Sequence, residues 1–505
     1  MNNLFFSVWA TAICVICLVG GCASNKKTNS FALSQRSKLG LGVPSSVSGF
    51  PVTVAKEQPG SSIQLVSGVE PLNRSVATPV VYAAMSTVEA NKPIVTLTQT
   101  SQNMTLEQVL ELALANNPAI KELAATTQKA AGFRTQVGLY ANPIMGYQGA
   151  QLADRRTDQH LLFAEQEFAT AGKLALNRRV LNEALRAQLQ ELETQKLRVG
   201  TDIRVSFYQI LALQRQIELT EEFRGLLDKG YELAQMRLKA AEGSKIDILQ
   251  TKVQRSEVDI AYRQAKAKLD AAWREMTAIA GATNLTQTRL IGELPQKADA
   301  IVWDDLALSV VNSSPEYAAA RTRVSQARAA LERQGVQAIP NVTVQFGTGV
   351  DSGTNSGMMN LQVGAPIPVF NKNQGNIAAA RAEYCRAQLE AQRIENGIKA
   401  RLATISRDYE SSAEAMSVYT LEILPSAKEA WSLAEMAYKA GEMAFIQVLV
   451  ARRTYFDSNL QYVNSQAQLA TAKAKADGFA LSGALDAIID RSGDDGLRGL
   501  TYSQK

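Results

Sequence analysis

The chain writes one helical reversal twice. Residues 239–250, KAAEGSKIDILQ, return 200 positions later as KAGEMAFIQVLV. Over residues 233–250, eight of eighteen positions recur at that spacing: Leu233, Ala234, Met236, Lys239, Ala240, Glu242, Ile246 and Leu249 return as Leu433, Ala434, Met436, Lys439, Ala440, Glu442, Ile446 and Leu449. Such self-similarity marks an internal duplication, and any fold must therefore be built from two copies of one unit. Upstream the offset is 197: MTLEQVLELALANNPAI aligns with IVWDDLALSVVNSSPEY, Pro118 with Pro315, and Pro143 with Pro340. RAQL at 186–189 recurs at 386–389, so a three-residue change falls between, in a region of strands and loops.

Proline spacing sets the helix lengths. From Gly172 to Glu242 about 70 residues run without proline, equivalent to roughly 105 Å of helix. Within it Leu185, Leu189, Leu192, Val199, Ile203, Ile210, Leu213 and Ile217 follow a 3-4 spacing broken by Lys196 and Ser206, a coiled-coil seam. The second copy, Gly375–Ala440, is similar and should kink at Pro425. Return helices over about 244–282 and 443–482 span roughly 60 Å, and helices over 118–141 and 315–338 add roughly 36 Å each. A short helix stacked end to end on a return helix thus matches one long helix.

The segments between read as strands. Val342, Val344 and Phe346, then Met359, Leu361 and Val363, point to one face, while Thr343, Gln345, Asn360 and Gln362 point to the other. GTGVDSGTNSG forms the turn-rich tip between them. The first copy, NPIMGYQGAQ and HLLFAEQEF around LADRRTD, matches less well, because Glu165 and Glu167 share a face with Leu161 and Phe163. Each strand is about ten residues, the length a tilted membrane strand needs, although a soluble surface sheet alternates in the same way. Four amphipathic strands cannot close a barrel, and lipid does not tolerate an open sheet edge. The strands must be shared among chains: eight would fill with side chains, whereas twelve, from a trimer, leave a lumen.

The ends are of another kind. Leu4–Val19 is apolar but too short to span a bilayer, and Gly20, Gly21 and Cys22 follow it, as in an export signal over residues 1–21. LVGGCAS resembles a bacterial lipobox, which makes Cys22 the lipidated first residue of the mature chain; MNNLFF departs from that pattern by lacking Lys or Arg. Ala23 rather than Asp at the next position favours, by resemblance, the outer membrane. Residues 22–103 are rich in Ser, Thr, Val, Gly and Pro and read as an extended tether, with PIVTLTQT either one added strand or linker. The repeats then occupy 104–300 and 301–485, with strands near 142–168 and 340–368, long helices near 172–282 and 375–482, and a tail over 486–505.

Composition excludes several functions. The 53 Lys+Arg against 48 Asp+Glu leave no basic footprint for nucleic acid. His160 is the single histidine and opens a strand, where an exposed or interfacial role is expected. With Cys14 and Cys17 in the signal and Cys22 lipidated, Cys385 is the one thiol left, so no disulfide framework forms within a mature chain. Beyond the signal, whose Cys14 and Cys17 leave with it, HExxH, CxxC pairs, nucleotide loops and nucleophile elbows are absent. No cofactor, metal site or catalytic residue is expected, and Met358 and Met359 read as barrel-surface packing rather than a soft-metal site.

With its duplication, paired prolines and strand-to-helix junctions, the chain from 104 to about 485 resembles the TolC-type outer-membrane efflux ducts. The junctions QEFATAGKLALNRR and PIPVFNKNQGNIAAARAEY resemble those of the heavy-metal, CzcC-like branch. That resemblance implies a mainly α fold with a transmembrane β-barrel: a homotrimer with a twelve-strand barrel in outer-membrane lipid and a helical tunnel across the periplasm. It implies a periplasmic adaptor docking on the helix-hairpin tips and an inner-membrane, proton-driven pump behind it. The tip residues are then Gly243, Ser244, Lys245, Ile246 and Asp247 in the first copy and Gly441, Glu442, Met443, Ala444 and Phe445 in the second. Asp247 and Gln447 stand where the family narrows this end, but Gln447 and Val450 replace residues that are often Asp. The cargo implied is heavy-metal cations conducted passively; drug efflux or protein secretion by the same duct, and a lipid-anchored coiled-coil scaffold or adaptor, are the alternatives.

Overall fold

A computed structural model describes residues 103–153, 156–240 and 243–492. The signal segment, Cys22 and the tether to residue 102 lie outside the described residues, as do 493–505. Elements follow one order in both copies. The first runs β1 (Asn103–Met104), α1 (Leu106–Asn116), α2 (Pro118–Gln136), β2 (Ile144–Ala150), β3 (Gln159–Phe168), α3 (Lys173–Lys239) and α4 (Lys245–Ile279). The second runs β4 (Arg289–Leu290), α5 (Trp303–Ser313), α6 (Pro315–Gly335), β5 (Val342–Asp351), β6 (Ser356–Gly364), α7 (Gln374–Val418), α8 (Leu424–Lys439) and α9 (Phe445–Asp477).

The helices form one layer. Near the sheet α3 is flanked by α2, through Arg134 donating to Asn182, and by α6, through buried Arg333 donating to Asn177 at 2.6 Å. Towards its C-terminus the neighbours are α4, through Arg224–Asp259 and Arg255–Asp228 pairs, and α9, through Phe223 stacked on Phe456 at 4.3 Å. Stacking of short on return helices is visible at one residue. Fully buried Asn117 accepts from the Ile120 amide at 3.1 Å, capping α2, and donates to the Ile279 carbonyl at the end of α4 at 2.7 Å. One side chain thus satisfies orphan groups of two helix ends at once.

Several boundaries differ from the sequence reading. Helices α2 and α6 stop at Gln136 and Gly335, short of 141 and 338. At Pro425 a five-residue π turn, Tyr419–Ile423, joins α7 to α8; the Leu424 amide bonds the Tyr419 carbonyl, and the proline follows at the start of the next helical turn. The wide turn accommodates the missing proline donor without ending the helix. Strand β5 runs through Gly347–Asp351, residues expected in the tip, which leaves 352–355 as the turn. Residues 486–492, expected as tail, are packed: Lys129 bonds Asp490 at 2.8 Å and Arg491 bonds Glu390 at 3.1 Å.

A waist core of Met104, Val109, Ile203, Phe207, Trp273, Met276 and Leu290 ties the β1–β4 pair and α1 to the middle of α3. A second core of Phe223, Leu227, Phe445, Leu449 and Phe456 binds the two hairpins near their reversals. Among the described residues no helix is long and apolar enough to cross a membrane.

Candidate conduction path and docking tips

The four long strands form one antiparallel sheet in the order β2-β3-β5-β6. Tyr147 pairs with Leu162, Ala164 with Phe346, and Phe346 with Leu361. Because side chains alternate, Met145, Tyr147, Leu162, Phe346, Met359 and Leu361 share one face. That face is open: Met145 is 81% exposed and Met359 75%. So large an exposed apolar surface is stable against lipid rather than water.

The other face is polar and of one sign. Glu165, Glu167 and Asp351 are the only acidic residues of the four strands, no Lys or Arg occurs in them, and all three share the face of Gln345, Asn360 and Gln362. The mismatch noted for the first copy has a packing cause. A Cβ on Gly146 would sit 2.6 Å from the Phe163 ring, and one on Gly347 would sit 2.7 Å from the Leu161 side chain. Leu161 and Phe163 fill the space that glycines leave on the polar face, while Met145, Tyr147 and Leu162 supply the apolar one. His160 lies on the apolar face near the hairpin end, with Nδ1 2.6 Å from the Tyr147 hydroxyl and the rings stacked. It is half-buried against that ring.

The strand-to-helix junctions lock the repeats together. Thr170 Oγ1 donates to the Pro340 carbonyl at 2.6 Å, Lys173 Nζ to Asn341 Oδ1 at 2.7 Å, and Asn341 Nδ2 to Glu167 Oε1 at 2.7 Å. Gly172 and Asn373, both left-handed with φ +63° and +61°, cap α3 and α7. Sequence reasoning singled out these motifs but not the partners, which lie about 170 residues away.

At the far end the reversals differ. In the first, Ser244 Oγ accepts from the Ile246 amide at 3.1 Å and Asp247 Oδ2 accepts from the Ser244 amide at 3.2 Å, a capping box. Asp247 is thus held as a helix cap, a role its S-x-x-D spacing could have shown. In the second, Gly441 at φ +79° closes α8 while the Glu442 amide bonds the Ala437 carbonyl at 2.9 Å, a left-handed helix terminus that favours glycine. Ser244, Lys245, Ile246, Gly441, Glu442, Ala444 and Gln447 are exposed; Gly243, Asp247 and Met443 are half-buried. Phe445 is 9% exposed and packs on Tyr438 with ring centroids 5.3 Å apart. It belongs to the core that joins the hairpins, not to the free tip surface.

A charged strap crosses the helices above the waist. Asp202 accepts from the Gly483 and Ala484 amides at 2.9 and 2.8 Å, and Gln195 donates to the Ala484 carbonyl at 2.8 Å. Burial pushes the Arg323 guanidinium down to about 10, with Arg491 adding to the effect. The hydrogen bond from Lys129, together with bonds from Ser492, holds Asp490 at about 2 against an ordinary 3.8. Because the folded value is depressed, this tie stabilises fully above the unfolded value and is lost as pH falls from about 4 through about 2. Hydrogen exchange of residues 483–492, corrected for intrinsic rate, should accelerate over that window, and Asp490→Asn should reduce the pH dependence, leaving the part carried by Asp202 and Glu390.

A membrane sheet of four strands set on a layer of very long paired helices defines an outer-membrane duct. Residues 308–475 match the family described as Outer membrane efflux protein. It is 25% identical over 383 residues to the cobalt-zinc-cadmium resistance protein CzcC of Cupriavidus metallidurans, covering 74% of this chain and 89% of that one. It is 23% identical over 332 residues to the alkaline protease secretion protein AprF of Pseudomonas aeruginosa, covering 63% of this chain and 67% of that one. Among solved structures, the outer membrane protein VceC of Vibrio cholerae superposes with a TM-score of 0.62 at 16% identity, covering 75% of this chain and 96% of that one. CusC gives 0.62 at 16%, covering 75% and 92%. The protein is an outer-membrane efflux channel.

Proposed function

We propose that three copies close their sheets into a twelve-strand barrel and their helices into a tunnel, and that the duct passively conducts heavy-metal cations out of the periplasm. The observation that carries the reading is the sheet: one exposed apolar face for lipid, and a polar face whose only charges are carboxylates. Carboxylates lining a low-dielectric wall raise the local concentration of cations. The likeness to CzcC, named for cobalt, zinc and cadmium resistance, agrees with that sign.

Energy coupling belongs to an inner-membrane, proton-driven pump, linked by a periplasmic adaptor that docks on Ser244, Lys245, Ile246, Gly441, Glu442, Met443 and Ala444. Gly243 permits the first reversal, and Asp247 and Gln447 line the mouth. Cys22 carries lipid, and residues 23–103 tether the two repeats to the membrane. Conduction needs no catalytic group. The test is deletion of the gene in its host, followed by growth on cobalt, zinc, cadmium, copper and silver salts beside drugs and detergents. Selective sensitisation to cations supports the reading, and sensitisation to drugs alone overturns the cargo.

The tip assignment makes its own prediction. Gly441→Val forces a β-branched residue into a left-handed position, at a cost of roughly 1–2 kcal/mol. Adaptor cross-linking should fall while trimer mass is unchanged; unaltered cross-linking would remove Gly441 and its neighbours from the docking surface.

A further inference from the structure

We infer that residues 365–373 of one copy form an apolar clasp over the segment preceding β2 of the next copy, repeating between chains the Thr170–Lys173 clasp seen within one. The inference rests on the trimeric duct proposed above.

Inside the chain, the loop after β3 grips the segment before β5, with Thr170 and Lys173 bonded to residues 339–341. The duplication pairs Pro340 with Pro143. The segment before β2 is therefore the equivalent of the gripped one, yet its Leu139 and Tyr140 are exposed, Tyr140 by 67%. The equivalent of the gripping loop lies after β6. It has nine residues between strand and helix where the first copy has four, and its apolar side chains stand free: Phe370 is 93% exposed and Ile367 82%.

This loop is built rather than loose. Pro366 and Pro368 fix two backbone angles, and the Val369 amide bonds the Ile367 carbonyl at 2.9 Å. Asn373 anchors the base, donating from Nδ2 to the Gln334 carbonyl at 2.8 Å. Phe370 is thus presented outward by a braced loop, a shape that a side chain needing a partner would have.

The geometry of the sheet says which partner. β2 and β6 are its two open edges. Across four antiparallel strands they run in opposite directions, so β6 of one copy beside β2 of the next continues the antiparallel ladder and satisfies both edges. In that ladder Gly364 is level with Thr343 and Glu167, and Glu165 is level with Ile144. The loop leaving β6 and the segment approaching β2 therefore lie at the same end of the sheet. The occupant is a second copy of this chain, and contact with lipid is the outcome to be distinguished.

The test uses the full chain, expressed in the outer membrane in a Cys385→Ser background. Phe370→Cys and Tyr140→Cys are combined, oxidised with copper phenanthroline, and read on non-reducing gels beside each single variant and beside the mass of the detergent-extracted complex. A dimer and trimer ladder from the double variant alone is expected. Phe370→Asp should cut the heat-resistant trimer on the order of tenfold, with Phe370→Leu restoring it. A trimeric mass with no ladder would overturn the clasp and place the loop in lipid, and a ladder from either single variant would also count against it. A monomeric mass in the parent would overturn the duct reading itself.

Discussion

Gly349→Val should abolish assembly in the outer membrane. The strands β3 and β5 form the seam between the two copies of the repeat, and Gly349 pairs with Leu161 on it. A Cβ there would lie 1.9 Å from the His160 carbonyl oxygen and 2.8 Å from the Leu161 Cα. Both are backbone atoms of a paired strand, so relief requires the ladder to open rather than a side chain to turn. Opening exposes unpaired N–H and C=O groups in lipid, each at a cost of several kcal/mol. Heat-resistant trimer in membrane fractions should fall at least on the order of tenfold. Gly364→Ala is the comparison: it lies in β6 with nothing of its own chain within 4 Å of the new Cβ, so the ladder within the chain stays closed and far more trimer should remain than in Gly349→Val. Equal loss in both variants would mean that any added side chain disrupts the sheet and that the close approach is not the cause.

That contrast also shows what the sequence could and could not reveal. The helices were legible because proline positions and a 3-4 apolar spacing are local signals, and the stacking followed from length alone. The lipid face was legible in β5 and β6, where alternation is regular. It was obscured in β3, because Leu161 and Phe163 occupy the polar face to fill gaps left by Gly146 and Gly347, a relation across strands that no single segment displays. The junction clasp of Thr170, Lys173 and Asn341 depends on residues about 170 positions apart, so periodicity carries no trace of it. At the tips the start of the second return helix decided the outcome. Ala444 is the N-cap of α9, which turns Phe445 inward onto Tyr438 and Leu449 instead of leaving it free for a partner.

Neutralising the carboxylates of the polar face should remove most of the duct's preference for cations. Glu165→Gln, Glu167→Gln and Asp351→Asn together take away every acidic residue of the four strands, three charges from each chain of a closed trimer. The changes isolate charge from structure. An amide side chain at position 167 keeps an oxygen that can accept from Asn341 Nδ2, which Glu167 now bonds at 2.7 Å. An amide at position 351 likewise keeps one for the Gly353 amide, which Asp351 now bonds at 2.8 Å. Folding and trimer yield should therefore be unaltered. In planar bilayers under a KCl gradient, the parent should show a reversal potential of the sign for cation flow. The triple variant should lose on the order of tenfold in the cation-to-anion permeability ratio. Raising the salt from about 0.1 M to about 1 M shortens the screening length from roughly 10 Å to roughly 3 Å, so the parent's preference should fade with salt while the variant's changes little. A triple variant as selective as the parent would mean that these carboxylates do not face the conduction path, and selection would then have to lie in the helical tunnel or at the mouth beside Asp247.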